Sequence, residues 1–430
     1  MRLGAAALVA AAAAIGAGGC RGRVGALLAV EAGEGAPPPP RVEEPNEIHF
    51  TFTGPASVTF DWLGSDGTLR FWSRQVAPRT VLAHAPSPAP CSAPGPWQEA
   101  ELAGLEPGVE YQYVVGNPAR PVPASFRAPP RPGTSGFTFV AVGDVGASAD
   151  WPEVRPIQRL VSLTEPAFVL MLGDLTYGDI RAQASVDRHF EDVMAWSRRA
   201  AYMPVWGNHE WEDGQHDDLR NYKGRFALPH AQACPGAPAA GCCGEDWYWF
   251  DYGSVRFIVY PEPYEARTWP DWAARAEPLF AEAEHDPALA FIVTAGHRPA
   301  YSSGHHGGEP ALQRILDGLG RRYAKYILNL TGHSHVYERT KPQAHVVHIT
   351  AGIGGSALEH ADTRCLWQSC TRPPFTAFRA IHHGFLRIAV RPDAIRAEAV
   401  CGVASAGNDE IRCGEGEVMD HVTIPAPKAL

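Results

Sequence analysis

Eighteen histidines occur in a chain of 430 residues, and eleven of them fall after residue 290. Several share a context. Five apolar runs each end in a glycine followed at once by a side chain able to bind a metal. They are FTFVAVGD, ending at Asp144, AFVLMLGD at Asp174, AYMPVWGN at Asn208, FIVTAGH at His297 and YILNLTGH at His333. His335 follows His333 with one serine between. Carboxylates, an amide and imidazoles are the ligand types of hard and borderline cations. Singly, each motif is ordinary: a GD pair is more often a turn with a capping aspartate, and an HxH pair more often lies on a surface or in a core. Only the ordered set, placed at the ends of five apolar runs, departs from chance.

Such side chains need elements that aim them. Continuous apolar runs alternating with polar, helix-compatible stretches (185–201, 271–284 and 309–323) read as strands covered on both faces in βαβ units. Ligands of such sheets bind beyond the carboxyl ends of the strands, and a glycine there lets the chain turn sharply. Five ligand-type residues can therefore converge. Further strands are expected at 346–349 and in a hairpin, 384–390 with 394–400, around Arg391-Pro392-Asp393. These imply a second sheet packed on the first.

From 47 to 126 the pattern changes to short alternating runs broken by turns: IHFTFTG, SVTFDWLG, TLRFW, TVLAHA and EYQYVVG. That reads as a small all-β sandwich. Residues 102–108 followed by Tyr111 resemble the turn before a late strand of fibronectin type III-like domains. Pro-rich stretches at 35–40 and 129–136 read as linkers.

The ordered blocks resemble those of the purple acid phosphatases, which belong to the binuclear metallophosphoesterases. The blocks are Gly143-Asp144-Val145-Gly146, Gly173-Asp174-Leu175-Thr176-Tyr177, Gly207-Asn208-His209-Glu210, His297 and Gly332-His333-Ser334-His335. The flanking text from His297 to Ser303 and from Val336 to Thr340 is similar too. One departure is Val293, four residues before His297 where the usual block has a valine three before; this bears on packing more than on ligation. The resemblance spans about 45–400. It implies an α/β fold, a four-layer αββα sandwich over 137–405, preceded by an all-β fibronectin type III-like domain over 46–128. It implies that Asp144, Tyr177 and His335 bind one metal, that Asn208, His297 and His333 bind the other, and that Asp174 bridges them. The first metal would be ferric iron, coloured by its tyrosinate, and the second zinc, iron or manganese. Hard trivalent iron suits a carboxylate and a phenolate, and the second set is neutral apart from the bridge. Two such metals can generate a hydroxide at mild pH for in-line attack on phosphorus. His209 would contact the phosphate, and His305 or His306, with His306 favoured, would bind phosphate or protonate the leaving group. Arg339 reads as a residue that packs beside the site, and His345, His348, His382 and His383 are further candidates of lower rank, with His382 and His383, just before a strand, reading as structural. The expected substrates are small phosphate esters, hydrolysed at acidic pH. A phosphodiesterase or nucleotide pyrophosphate hydrolase with the same site is the near alternative, and a non-catalytic surface protein the distant one. The segment 211–246, which could roof the site, would bear on that choice.

The bulk properties agree with an enzyme of small substrates. A net charge of −10 argues against a nucleic-acid partner held by a basic surface, and 45% hydrophobic residues argue for a folded chain. Residues 1–20 read as an export signal too short to span a membrane. Ala17-Gly18-Gly19-Cys20 resembles a lipoprotein cleavage box, so Cys20 is a candidate membrane tether, with 21–45 as linker. Eight further cysteines suggest disulfides in an exported chain. Cys365 with Cys370 and Cys401 with Cys413 are close enough to pair, and Cys234 could pair with Cys242 or Cys243. Residues 406–430 are expected as a C-terminal tail.

Overall fold

The computed structural model describes residues 44–116, 123–211, 219–234, 236–237, 244–360, 371–405 and 411–427. The expected export signal, Cys20 and the Cys365/Cys370 pair lie outside them.

The N-terminal part holds β1 (Asn46–Gly54), β2 (Ser57–Leu63), β3 (Thr68–Trp72), β4 (Arg79–Leu82), β5 (Trp97–Leu102), β6 (Glu110–Val115) and β7 (Ala124–Arg127). Sheet β1-β2-β5 faces sheet β4-β3-β6-β7. Between them Phe60 lies 4.7 Å from Tyr113 and 5.0 Å from Phe50, ring centre to ring centre. The hydroxyl of Tyr111 accepts the Glu106 N–H at 3.0 Å, pinning the turn before β6. Strands β5 and β7 give little signal in sequence. WQEAEL buries only Trp97, Ala100 and Leu102, and ASFR has just four residues.

The larger part begins with β8 (Phe137–Val142), α1 (Val154–Leu163), β9 (Phe168–Leu172), α2 (Gln183–Ser197), β10 (Ala201–Val205) and the short α3 (Arg220–Lys223). Next come β11 (Trp249–Tyr252), β12 (Val255–Val259), α4 (Thr268–His285), β13 (Phe291–Ala295), α5 (Pro310–Arg322) and β14 (Tyr326–Thr331). The last strands are β15 (Tyr337–Thr340), β16 (Val347–Ala351), β17 (Thr376–Ala380), β18 (Gly384–Val390), β19 (Ala394–Cys401) and β20 (Val418–Pro425). A six-stranded sheet, β10-β9-β8-β18-β19-β20, packs on a seven-stranded one, β11-β12-β13-β14-β16-β15-β17. The five apolar runs are β8, β9 and β10 of the first sheet and β13 and β14 of the second, all parallel to their neighbours among these five. Phe139, Phe168 and Phe257 fill the space between the sheets. Helix α1 packs on β18 and α2, while α4 and α5 pack on β13 and β14. The layers are thus helix, sheet, sheet, helix. Helix α1 buries Val154, Ile157, Gln158 and Val161, one face at helical spacing.

Residues 406–430, expected as a tail, contribute a strand to the six-stranded sheet. Within them β20 pairs antiparallel with β19, from Ala394 opposite Pro425 to Val400 opposite Val418. Its carboxylate Asp420 accepts bonds from Tyr337 and Arg339 at 2.7–3.0 Å. An edge strand whose outer side chains meet water reads as polar, and β20 buries only Ile424. Cys401 and Cys413 form a disulfide between β19 and the turn before β20. Cys91 is disulfide-bonded too, whereas Cys234 keeps a free thiol and does not pair as expected.

Candidate metal centre

The strand ends converge where the two sheets meet. Asp144 follows β8, Asp174 follows β9 and Asn208 lies just past β10 on the first sheet. His297 follows β13 and His333 follows β14 on the second. Several of these residues adopt left-handed backbone: Asp144 at φ 57°, Asp174 at 49°, Tyr177 at 56° and His333 at 70°. Backbone strain of this kind gathers at functional sites. The sequence reading gave the sharp turn to the glycines, but only Gly173 among the five has a positive φ, 85°. The others are needed for space. A Cβ on Gly207 would land on the Asp174 carboxylate, and one on Gly332 would land on that of Asp144.

Two groups of ligand atoms form, each within 4.8 Å: Asp174, His297 and His333 in one, Asp144, Asp174 and His335 in the other. Asp174 belongs to both. In the first group, His297 Nε2 faces Asp174 Oδ2 at 3.1 Å, Asn208 Oδ1 at 3.2 Å and His333 Nδ1 at 3.2 Å. In the second, His335 Nε2 faces Asp144 Oδ1 at 3.2 Å and the Tyr177 hydroxyl at 2.9 Å. The opposite ring nitrogens are anchored: His297 Nδ1 donates to the Leu172 carbonyl at 2.8 Å and His335 Nδ1 to that of Ala357 at 2.6 Å. With Nδ1 carrying the proton, each Nε2 turns its lone pair inward. One proton could not satisfy the three atoms facing His297 Nε2. A cation suits this donor set, so the residues fit a metal pair.

The electrostatics are those of a buried, charged cleft. Burial alone would raise the Asp174 carboxyl, but His297, His209 and His333 hold it well below the usual carboxylate range. Burial and then the neighbouring His297 push His333 far down. Burial, with Asp144 and Asp174 next, lifts the Tyr177 phenol well above its ordinary value.

The calcineurin-like phosphoesterase family model matches residues 137–337 of the chain. Purple acid phosphatase 21 of Arabidopsis thaliana is 26% identical over 310 residues, covering 68% of this chain and 66% of the relative. A nucleotide pyrophosphatase/phosphodiesterase of Hordeum vulgare is 28% identical over 342 residues, covering 70% and 87%. Purple acid phosphatase PPD1 from seeds of yellow lupin (Lupinus luteus) superposes with a TM-score of 0.70 at 19% identity, covering 90% of this chain and 75% of that one. The chain is thus similar to the purple acid phosphatases, and its residues 137–337 to the calcineurin-like phosphoesterases. The matched part spans just under two thirds of the Arabidopsis relative.

Among the described residues three more histidines border the cleft. His209 lies ring to ring with Tyr177 at 4.5 Å, and its Nδ1 meets Asp179 Oδ2 at 2.8 Å. Burial would lower the His209 imidazole, but the Asp179 hydrogen bond and the charge of Asp174 raise it to about 9. His306 sits at the mouth, its ring 4.3 Å from that of His333. Burial against its neighbours pushes it down and Glu359 opposes this; an exposed edge limits the effect. The neighbouring His305 has its Nδ1 3.9 Å from Glu359 Oε2. Sequence reasoning missed Asp179, Glu210 and Glu359. Glu210 accepts the N–H groups of Asp174, Leu175 and Gly207 at 2.7–2.9 Å, tying the loops after β9 and β10 together. Arg339, His348, His382 and His383 lie outside the cleft's two ligand groups, and the last three are buried. Of the expected roof, residues 212–218, 235 and 238–243 lie outside the described set.

Proposed function

We propose that the chain is an exported acid phosphatase that hydrolyses phosphate monoesters with a pair of cations. The observation that carries this reading is a single buried carboxylate, Asp174, common to two groups of ligand atoms. Asp144, Tyr177 and His335 would hold ferric iron. Asn208, His297 and His333 would hold zinc, iron or manganese, and Asp174 would bridge. When bound, the pair supplies Lewis acidity toward the phosphoryl group and an acidified water as nucleophile.

The chain's own residues supply the rest. Asp179 fixes His209 through Nδ1 and keeps it protonated in acid, so that Nε2–H can meet charge developing on the phosphoryl oxygens. His306, at the mouth, would give its proton to the leaving alkoxide. An acidic working pH suits both roles, because each needs an imidazolium. Export is supported by the apolar N-terminal run and by the Cys401–Cys413 disulfide, a bond that persists in oxidising compartments; Cys20 remains the candidate tether.

The test is hydrolysis of p-nitrophenyl phosphate, with elemental analysis and the visible spectrum of protein purified without added metal. Activity on the monoester, weak action on bis-p-nitrophenyl phosphate and two metals per chain are expected. The barley relative's name favours a second reading, a diester or pyrophosphate hydrolase, which would reverse that preference. Absence of both activities in a metal-loaded chain would leave the non-catalytic reading.

A further inference from the structure

Between His297 and α5 the chain passes over the cleft and carries His305 and His306. Nothing in residues 302–306 forms a strand or a helix, so something else must hold the two imidazoles in place. Two carboxylates do. Glu338, on β15, accepts the Ser303 N–H at 2.6 Å and its hydroxyl at 2.8 Å. Glu359 accepts the His305 N–H through Oε2 at 2.7 Å. Its other oxygen, Oε1, accepts the N–H of His335 at 3.2 Å. One carboxylate thus joins the histidine loop to the loop of a candidate ligand. Its side chain is almost wholly buried, where hydrogen bonds to a charged acceptor are strong and a lost partner is costly. The seat is close-fitting: a Cβ on Gly304 would approach Ser334 and Glu359 Oε2 within 3.0 Å, and the Ser302 and Ser334 hydroxyls meet at 2.9 Å.

We propose that Glu359 is a positioning residue, which sets the reach of His305 and His306 over the cleft by fixing the His305 amide against the amide of His335. Glu359 touches neither substrate nor reacting atoms; it acts through the two amides. The inference rests on the phosphatase reading above for its catalytic consequence, but not for the clamp itself. Glutamine at 359 keeps the shape and offers one carbonyl oxygen. Its amide group would then face an N–H donor, so one of the two bonds is lost. Aspartate keeps the charge but is one methylene too short to span both.

The experiment compares Glu359→Gln and Glu359→Asp with the unaltered full chain. Amide hydrogen exchange of the peptide over 302–306 is read first, on protein as purified. Both variants should exchange there about tenfold faster, since an amide that loses its acceptor opens locally, with the sheets unchanged and metal content equal. Hydrolysis is then measured on two esters. Attack on a simple alkyl phosphate, whose leaving group needs a proton, should fall about a hundredfold, the scale of general acid catalysis. Attack on 2,4-dinitrophenyl phosphate, which needs none, should fall far less. Unchanged exchange would overturn the clamp. Equal losses on both esters, a lowered metal content or full recovery in Glu359→Asp would overturn the positioning role. An unaltered chain that hydrolyses neither ester would instead sink the proposed function, and the exchange measurement would still decide the clamp.

Discussion

At the scale of single residues, the ligand candidates were legible because each stands just after a glycine that closes an apolar run. Their supports were not. Asp179 lies two residues past the motif that ends at Tyr177, and Glu210 closes the motif that holds Asn208, but a sequence does not show what a carboxylate faces. Asp179 faces an imidazole thirty positions away, and Glu210 faces backbone amides. Two predictions belong here. Asp174→Ala removes the atom common to both ligand groups, so both metals should be lost; elemental analysis showing a full complement would refute the bridge. Asp179→Asn removes the charge that lifts His209 to about 9. Its imidazole should return toward its ordinary value, and turnover should fall about 10–100-fold above neutral pH, the order of a lost electrostatic or proton-transfer contribution. Metal content should stay the same. A pH–rate profile unchanged by the substitution would remove the pair from the chemistry.

At the scale of elements, the buried parallel strands were readable as unbroken apolar runs, and β8, β9, β10, β13 and β14 fall within them. Strands β5, β7 and β20 were not, since each is short or presents charged side chains to water. Helix 185–201 was read too long: α2 ends at Ser197, because the chain must reach Ala201 as the first residue of β10. The glycines at the strand ends were found for an incomplete reason. At Gly207 the backbone has an ordinary φ of −108°, and what excludes a side chain is the Asp174 carboxylate and backbone pressed against it. Gly207→Ala should therefore destabilise the chain by about 1–3 kcal/mol, as overpacking does, and should weaken metal binding in both groups, since each contains Asp174. A melting temperature and a metal affinity both unchanged would mean the loop yields freely.

At the scale of the whole molecule, the sequence showed two domains and a linker but not how they meet. Strand β1 packs on α2 and beside β10, with Phe52 stacked on Tyr252 at 5.2 Å. Near its start Arg225 is buried between the domains, bonded to Glu47 at 3.0 Å and to Asp187 at 2.8 Å. Residues 47, 187 and 225 have no common motif, so nothing in the sequence pairs them. Two carboxyls divide one guanidinium, which leaves one negative charge in excess. Burial first, and repulsion from Asp187, push Glu47 up to about 8 against the pull of Arg225. Burial likewise raises Glu245 to about 7 and Asp61 well above its ordinary value. A carboxyl raised from 4.5 to about 8 keeps its proton in the folded chain where the unfolded chain has released it. Its stabilisation is complete below pH 4.5 and is lost as the pH rises through 8. His49 and His189, held neutral by burial down to about 4, act oppositely, but only below their ordinary 6.5. Between pH 6.5 and 8 the buried carboxyls therefore act without that opposition. The melting temperature should fall across this window, and in Glu47→Gln it should fall less steeply, by at most roughly 1.4 kcal/mol of stability per pH unit. Comparing the two proteins at equal metal content cancels the contributions common to both, those of His209 and of Glu210, which burial and then the charge of Asp174 raise to about 8. Equal slopes would mean that Glu47 is already ionised at pH 6.5 and that Arg225 outweighs burial at this junction. A shallower slope would tie the domain contact to acidic conditions, the same range in which imidazolium forms of His209 and His306 would serve the cleft.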